Sequence, residues 1–287
     1  MNHAMINAAS GVRAMQLRVD TIANNLANSD TVGFKSSDTT FASMLTRKLD
    51  NQPYPQYEQG RQTPYGTRPG FGAKEALQVV NYTQGSMKQT DSPTDLFLQG
   101  EEALFRVQRA GVNGRPNETY FTRAGNFSLM PTNNGQLALL TAQGDAVMDN
   151  AGQPVRIPSG ATNFTVNADG QIVYKLNDVQ TQGPRIGVYT VQNLNILHPA
   201  GENYYRVPVE QIGGNAQWTD YVRLSNANGA AMPNGVGIQQ RALEASNVDL
   251  RKEMTMLIEA QRGLQFNARA ISFNDQMSDI TNRIYKG

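Results

Sequence analysis

Four carboxylates crowd one short stretch of the chain, at Asp91, Asp95, Glu101 and Glu102. Two acids facing one cleft are the arrangement that cleaves glycosidic bonds, so hydrolytic chemistry would sit here if anywhere. Glu101 and Glu102 are adjacent, and adjacent side chains on a strand point to opposite faces. That argues against a catalytic pair. NADGQI, residues 167 to 172, has a faint likeness to a calcium loop. Its twelfth position would be Leu176, where such a loop needs a bidentate acid, so a hairpin turn is the expectation. GFGAKE (70–75) and GVGIQQ (235–240) each lack the third glycine of a dinucleotide loop. Cysteine is absent, and His3 and His198 are the only histidines. Thiolate metal sites and disulfides are thereby excluded, and a histidine base or histidine-ligated metal is disfavoured. The expectation is no enzyme, no cofactor and no metal.

The polar residues with the strongest positional signal are amides. TIANNLANSDTVGFK, residues 21 to 35, has helical spacing yet carries Asn24, Asn25 and Asn28. Asparagine is a poor helix former, because its amide competes for backbone hydrogen bonds. Buried between helices, an amide enforces register, since a slipped neighbour leaves it unsatisfied at roughly 1–3 kcal/mol. The plainer alternative is that these amides face water or cap a fraying end.

The elements that would carry such amides lie at the two ends. Met5, Ala8, Val12, Met15, Val19, Ile22 and Leu26 step alternately by three and four, an a/d pattern. It predicts a helix from about Ala4 to Asn28, with Gly33 in the turn beyond. SNVD, residues 246 to 249, opens a second helix that would run from Asn247 to about Ile284, with Ser246 and Asp249 forming a capping box. Two apolar stripes mark it. One is Leu250, Met254, Leu257, Leu264, Ala268 and Ile271; the other is Phe266, Ala270, Phe273, Met277, Ile280 and Ile284. They lie on roughly opposite sides of a helix. One partner needs one stripe, so two stripes suggest two neighbours, unless a stutter lets a single partner follow the stripe around.

Between the ends, turn signals recur at NNGQ (133–136), AQGD (142–145), NAGQ (150–153) and NADGQ (167–171), with short strand-like runs between them. Residues 51 to 72 are rich in Pro, Gly, Gln and Tyr and read as a long loop. The predicted class is α+β: a discontinuous, coiled-coil-like helical domain from paired terminal helices (1–35 plus 245–287), a linker or extended segment (36–83) and a central all-β domain (84–244).

Charge and hydropathy narrow the partners. Lys and Arg number 25 against 24 Asp and Glu, for a net charge of +1, which gives no electrostatic case for nucleic acid or an acidic membrane. Mean hydropathy is −0.49 and no apolar run approaches the roughly 20 residues of a membrane span. Direct membrane insertion is not expected. The first residues, MNHAMINAASGVRAMQL, lack the basic then apolar layout of a cleaved signal peptide.

ANNLANSDTVGFK (23–35) resembles the N-terminal signature of bacterial flagellar rod and hook proteins. LEASNVDLRKEMTMLIEAQRGLQFNARAISFNDQM (243–277) resembles the same family's C-terminal signature. TRAGNFSL (122–129), NNGQLALL (133–140) and GENYYRV (201–207) are similar to its β segments. Length and layout look most like the distal-rod type, including the rod paralogues of Gram-positive bacteria. There are departures: GEEALF (100–105) stands where the family often has a Gly-x-Gly-Phe-Phe run, and Gly263 and Leu264 follow Ala-Gln-Arg where a tyrosine is frequent.

The resemblance implies a structural subunit of the basal-body rod. Its terminal helices would form an inner domain lining an axial tube, with the β domain outside. It also implies passage through the flagellar export apparatus without a cleaved signal peptide, and polymerisation outside the cytoplasmic membrane into the shaft that carries torque to the hook. Partners would be copies of the chain and related rod and hook subunits. The expected assembly interface comprises Val12, Met15, Val19, Ile22, Asn24, Asn25, Leu26, Asn28, Gly33, Phe34, Asn247, Leu250, Met254, Leu257, Gln261, Arg262, Phe266, Asn267, Ile271, Met277 and Ile280. The alternatives are a hook or other axial or phage-tail-like tube protein and, less favoured, a cell-wall-acting enzyme.

Overall fold

A computed structural model describes residues 3–43, 73–110, 118–132, 135–208, 217–226, 232 and 235–286. The chain divides into two compact units, one of residues 1–27, 37–80 and 249–287, the other of residues 28–36 and 81–248. The Pro- and Gly-rich loop expected at 51–72 lies outside the described residues.

The first unit pairs two helices, α1 (His3–Ala27) and α2 (Leu250–Lys286), with a two-stranded ribbon. The ribbon is β1 (Ser37–Ser43) and β2 (Ala73–Val80), antiparallel, with a bulge between Thr40 and Phe41. α2 starts later than the sequence suggested, because Asp249 and not Ser246 caps it. The Asp249 Oδ1 accepts from the N–H of Arg251 at 3.0 Å and of Lys252 at 3.4 Å, satisfying donors that a helix start leaves open.

The second unit is the α+β fold's strand-rich part. In chain order its strands are β3 (Met87–Gln89), β4 (Leu96–Gln99), β5 (Ala103–Arg109), β6 (Glu118–Thr122), β7 (Ser128–Thr132), β8 (Gln136–Leu140), β9 (Ala146–Val147) and β10 (Arg156–Pro158). There follow β11 (Thr162–Val166), β12 (Gln171–Leu176), β13 (Val179–Arg185), β14 (Val188–Val191), β15 (His198–Gly201), β16 (Tyr204–Arg206), β17 (Val222–Leu224), β18 (Gly237–Gln240) and β19 (Ala242–Glu244). A ten-stranded antiparallel sheet runs β10-β8-β9-β5-β6-β16-β15, with β14 on β5, β17 on β14 and β7 on β8. β11-β12-β13 form a separate meander, and the last two strands return to pair with the first two, β18 with β4 and β19 with β3.

The core sits where Leu96, Leu98, Phe105, Val107, Leu139, Val147, Ile157, Ile172, Ile186, Val188 and Ile238 converge. Phe105 meets Phe127 edge-on with centroids 5.2 Å apart. The expected turns hold glycines in the left-handed region, Gly135, Gly144, Gly152 and Gly170, the conformation that a side chain disfavours. NADGQI joins β11 to β12, with Gly170 N–H donating to the Asn167 carbonyl at 2.9 Å. Glu101 and Glu102 do not lie on a strand: they form the turn between β4 and β5, both exposed.

Candidate functional site: the helical pair

The two helices run antiparallel in constant register. Asn25 meets Glu253, Met15 lies against Gly263 and Gly11 lies against Asn267. Each step back along α1 is matched by an equal step forward along α2. A Cβ on Gly263 would sit 3.1 Å from the Met15 sulfur, and one on Gly11 would sit 3.0 Å from the Asn267 amide. The glycines therefore let the helices approach closely. On this register His3 falls opposite Asp275, so residues 276–286 run past the first described turn of α1, about 16 Å of helix at 1.5 Å per residue.

The inward seam of α2 is Glu253, Leu257, Ala260, Leu264, Asn267, Ile271 and Asn274, spaced alternately by four and three and all buried or half-buried. This differs from either stripe drawn from apolar residues alone, because two asparagines, a glutamate and an alanine occupy seam positions. Opposite them on α1, Ala8, Ala14, Ile22 and Asn25 are buried. Val12, Met15, Val19 and Leu26 are half-buried. Met5 is exposed.

Asn25 explains one of the awkward amides. Its Nδ2 donates to the Ser37 carbonyl at 2.8 Å and its Oδ1 accepts from the Ser37 N–H at 3.0 Å. Nδ2 also donates to Glu253 Oε1 at 3.1 Å. One amide thus closes α1 onto β1 and α2 within the chain. Thr39 adds a hydroxyl bond to Thr21 at 2.9 Å. Glu253 Oε2 is buried without a hydrogen-bond partner. Removal from water pushes the Glu253 carboxyl above its ordinary range, against the opposing pull of the Asn25 bond. Asn24 is exposed and Asn28 half-buried.

The remaining expected interface residues divide. Asn28, Gly33, Phe34 and Asn247 belong to the strand-rich unit. Leu257, Asn267 and Ile271 face the seam, whereas Gln261 and Arg262 are exposed. Leu250, Met254, Phe266, Met277 and Ile280 are exposed, together with Ile258, Phe273 and Ile284. Phe266 and Ile284 reach 74% and 77%. An aromatic or branched aliphatic side chain buries roughly 1.5–3 kcal/mol of transfer free energy when covered, so this face is a large uncovered apolar surface. Among the described residues no cluster of His, Asp or Glu could hold a metal, and no helix is long and apolar enough to cross a membrane. Asp91, Glu101 and Glu102 are exposed and Asp95 half-buried; Asp95 bridges to Asn126.

The sequence reading missed Glu253, and it missed Lys35, Arg123 and Glu244. Glu244 Oε1 accepts from Lys35 Nζ at 2.6 Å, while Oε2 lies 2.8 Å from Arg123 Nη2. A signal was present, since each of these three residues lies inside one of the recognisable stretches, ANNLANSDTVGFK, TRAGNFSL and LEASNVD.

Comparison with known proteins agrees with this architecture at both ends and in the middle. Residues 5–35 match the flagella basal body rod protein family, residues 102–174 the flagellar hook protein FlgE/F/G D1 domain, and residues 239–284 the flagellar basal body rod FlgEFG protein C-terminal family. The chain is 33% identical over 288 residues to the flagellar hook-basal body complex protein FlhP of Bacillus subtilis, covering 99% of this chain and 100% of that one. It is 34% identical to the flagellar basal-body rod protein FlgG of Caulobacter vibrioides, covering 98% of each. To FlgG of Bacillus subtilis it is 30% identical, covering 96% and 97%. The chain belongs to the flagellar basal-body rod family. Within that family it is a structural rod subunit of the kind typified by FlgG and FlhP, and its place is the flagellum.

Proposed function

We propose that the helical pair is the polymerising part of this subunit. Its outward apolar face docks onto copies of the chain and related rod and hook subunits, giving the axial shaft that passes motor torque to the hook. The chain performs no catalysis. It reaches its place outside the cytoplasmic membrane through the flagellar export apparatus.

The observation that carries this reading is the face formed by Met254, Ile258, Phe266, Phe273, Met277 and Ile280, exposed in the single chain although the inward seam is already filled. At roughly 25 cal/mol per Å², leaving these side chains in water forgoes several kcal/mol that a neighbour would recover. Phe266→Asp and Ile280→Asp test it. Both positions are outside the seam, so the variant chains are expected to fold as the wild type does. Basal bodies isolated from cells carrying either variant should lack a completed rod and hook. Normal rods with Phe266→Asp and Ile280→Asp combined would refute the docking face.

A further inference from the structure

Residues 28–36 and 244–248 are the stretches by which the chain leaves the strand-rich unit toward its helices, and both are built into that unit. Gly33 N–H donates to the Glu244 carbonyl at 2.8 Å. Ser36 N–H donates to Asn247 Oδ1 at 2.7 Å. Asn247 Nδ2 donates to the carbonyls of Asn81 at 2.8 Å and Thr83 at 3.1 Å.

Beneath these bonds lies a carboxylate with four donors. Glu244 Oε1 accepts from Lys35 Nζ at 2.6 Å and from the Gly85 N–H at 2.8 Å. Its Oε2 accepts from Arg123 Nε at 2.9 Å, with Arg123 Nη2 2.8 Å away. All three side chains are within 1% of complete burial. Arg123 is itself anchored to the carbonyls of Ala103 at 2.7 Å, Leu98 at 3.3 Å and Gly100. Lys35 Nζ also donates to the Thr83 carbonyl at 2.7 Å.

Two cations against one anion leave this node net positive. Burial first, and the Arg123 charge second, hold the Lys35 ammonium below its ordinary pKa. A core that needed cohesion alone would do as well with apolar side chains of similar volume, because desolvating charges costs several kcal/mol per ion. What the charges add is geometry. A carboxylate with both oxygens bound accepts one arrangement of its three segments.

We propose that Lys35, Glu244 and Arg123 form an ionic clamp that sets the separation of the two stretches, 28–36 and 244–248, to which the helices are attached, with Lys35 and Glu244 as positioning residues for load transfer. The proposal rests on the rod-subunit reading above. The chain passes between its units after residues 27, 36, 80 and 248, and load crossing at the first, second and last of these runs through the two clamped stretches. The clamp ties them together through buried charge, whereas the bonds at Asn247 lie near the surface.

Glu244→Ala would leave two buried cations unpaired and unfold the unit, so the informative variant is Lys35→Met. It leaves Glu244 with Arg123 and the Gly85 N–H, and the Thr83 carbonyl with Asn247. With no cysteine in the chain, Asp30→Cys and Ser246→Cys together accept one pair of spin labels in the full-length protein. Dipolar spectroscopy should give a narrow distance distribution for the otherwise wild-type chain. Breaking the pair with Lys35→Met should make it about two-fold broader or more, and Lys35→Arg should keep it narrow. Trp218 fluorescence should show the same cooperative unfolding of the strand-rich unit throughout. An unchanged distribution, or broadening only where the Trp218 transition is lost, overturns the clamp. In cells, Lys35→Met should build rods of normal length but lose swimming speed more steeply than wild type as viscosity rises. Equal loss would overturn the load role. Full motility in a strain lacking the chain would overturn the rod reading instead, whatever the spin labels show.

Discussion

Asn25→Ala should unfold the helical pair far more readily than an ordinary surface substitution. Asn25 is only 2% exposed and makes three hydrogen bonds that no other residue replaces. The two to the Ser37 backbone are worth about 1 kcal/mol each, and the one to the Glu253 carboxylate about 1.5–3 kcal/mol. Alanine returns about 0.6 kcal/mol through its better helix propensity. The net loss is about 3–4 kcal/mol, a large share of the 5–15 kcal/mol that typical domains possess. The molecule supplies its own two probes. Far-ultraviolet circular dichroism follows mainly α1 and α2. The only tryptophan, Trp218, belongs to the strand-rich unit, packed against Phe121 at 5.8 Å and Tyr189 at 6.0 Å. In urea the helical transition of Asn25→Ala should move to clearly lower concentration while the Trp218 transition stays in place. A helical transition within about 1 kcal/mol of wild type, the ordinary effect of a point substitution, would refute the role given to this amide.

Four further outcomes follow from the geometry. Glu253→Gln should stabilise the helical pair at neutral pH and flatten its pH dependence. The folded-state pKa of Glu253 is raised, so its ionisation opposes folding. The Glu253 contribution to stability is then greatest below the ordinary carboxylate pKa and is lost as pH climbs through the raised value, as thermal melts of wild type and Glu253→Gln monitored by helix signal across that range would show. Gly125→Ala should abolish the Trp218 transition, because a Cβ there would lie 1.8 Å from the Leu96 carbonyl oxygen. Gly144→Ala, in open space at φ +88°, should cost only about 1–2 kcal/mol of left-handed backbone strain. Removing residues 1–27 should leave the strand-rich unit stable, whereas removing residues 1–35 should lower its urea midpoint, since the longer cut takes Gly33 and Lys35 away from Glu244.

Both helices were legible because a 3.6-residue period survives even when packing details are unknown. α1 and α2 begin and end within three residues of the positions read from pattern and capping. The turns were legible for a different reason: at Gly135, Gly144, Gly152 and Gly170 the backbone needs a residue without a Cβ. The seam of α2 was not. A hydrophobic stripe cannot distinguish a face filled by α1 from a face left bare, and here the filled face is the more polar of the two. Glu253, Asn267 and Asn274 on it carry information only once α1 is alongside. β1 and β2 were equally hidden. SDTTFAS is a polar strand whose partner starts thirty-six positions later, at Ala73, and no local pattern records that pairing.

The Lys35–Glu244–Arg123 node shows why family likeness and physical legibility are different things. The recognisable stretches at 23–35, 122–129 and 243–277 each contribute one of its charges. Yet Lys35 and Glu244 lie 209 residues apart, and Arg123 and Glu244 lie 121 apart. Read singly, each is an ordinary charged residue beside a turn, for which a solvated surface position is the natural expectation. Only the closing of β19 on β3 and of Gly33 on Glu244 brings them together out of water. The apolar outward face of α2 makes the complementary case: Phe266, Phe273 and Ile280 read from sequence as a second stripe that no partner within the chain needs, and in the single chain they are surface. A buried charge cluster where sequence suggests surface, and an apolar stripe that the pairing of α1 with α2 leaves bare, are what a subunit requires if its joints must be rigid and its contacts must be completed by its neighbours.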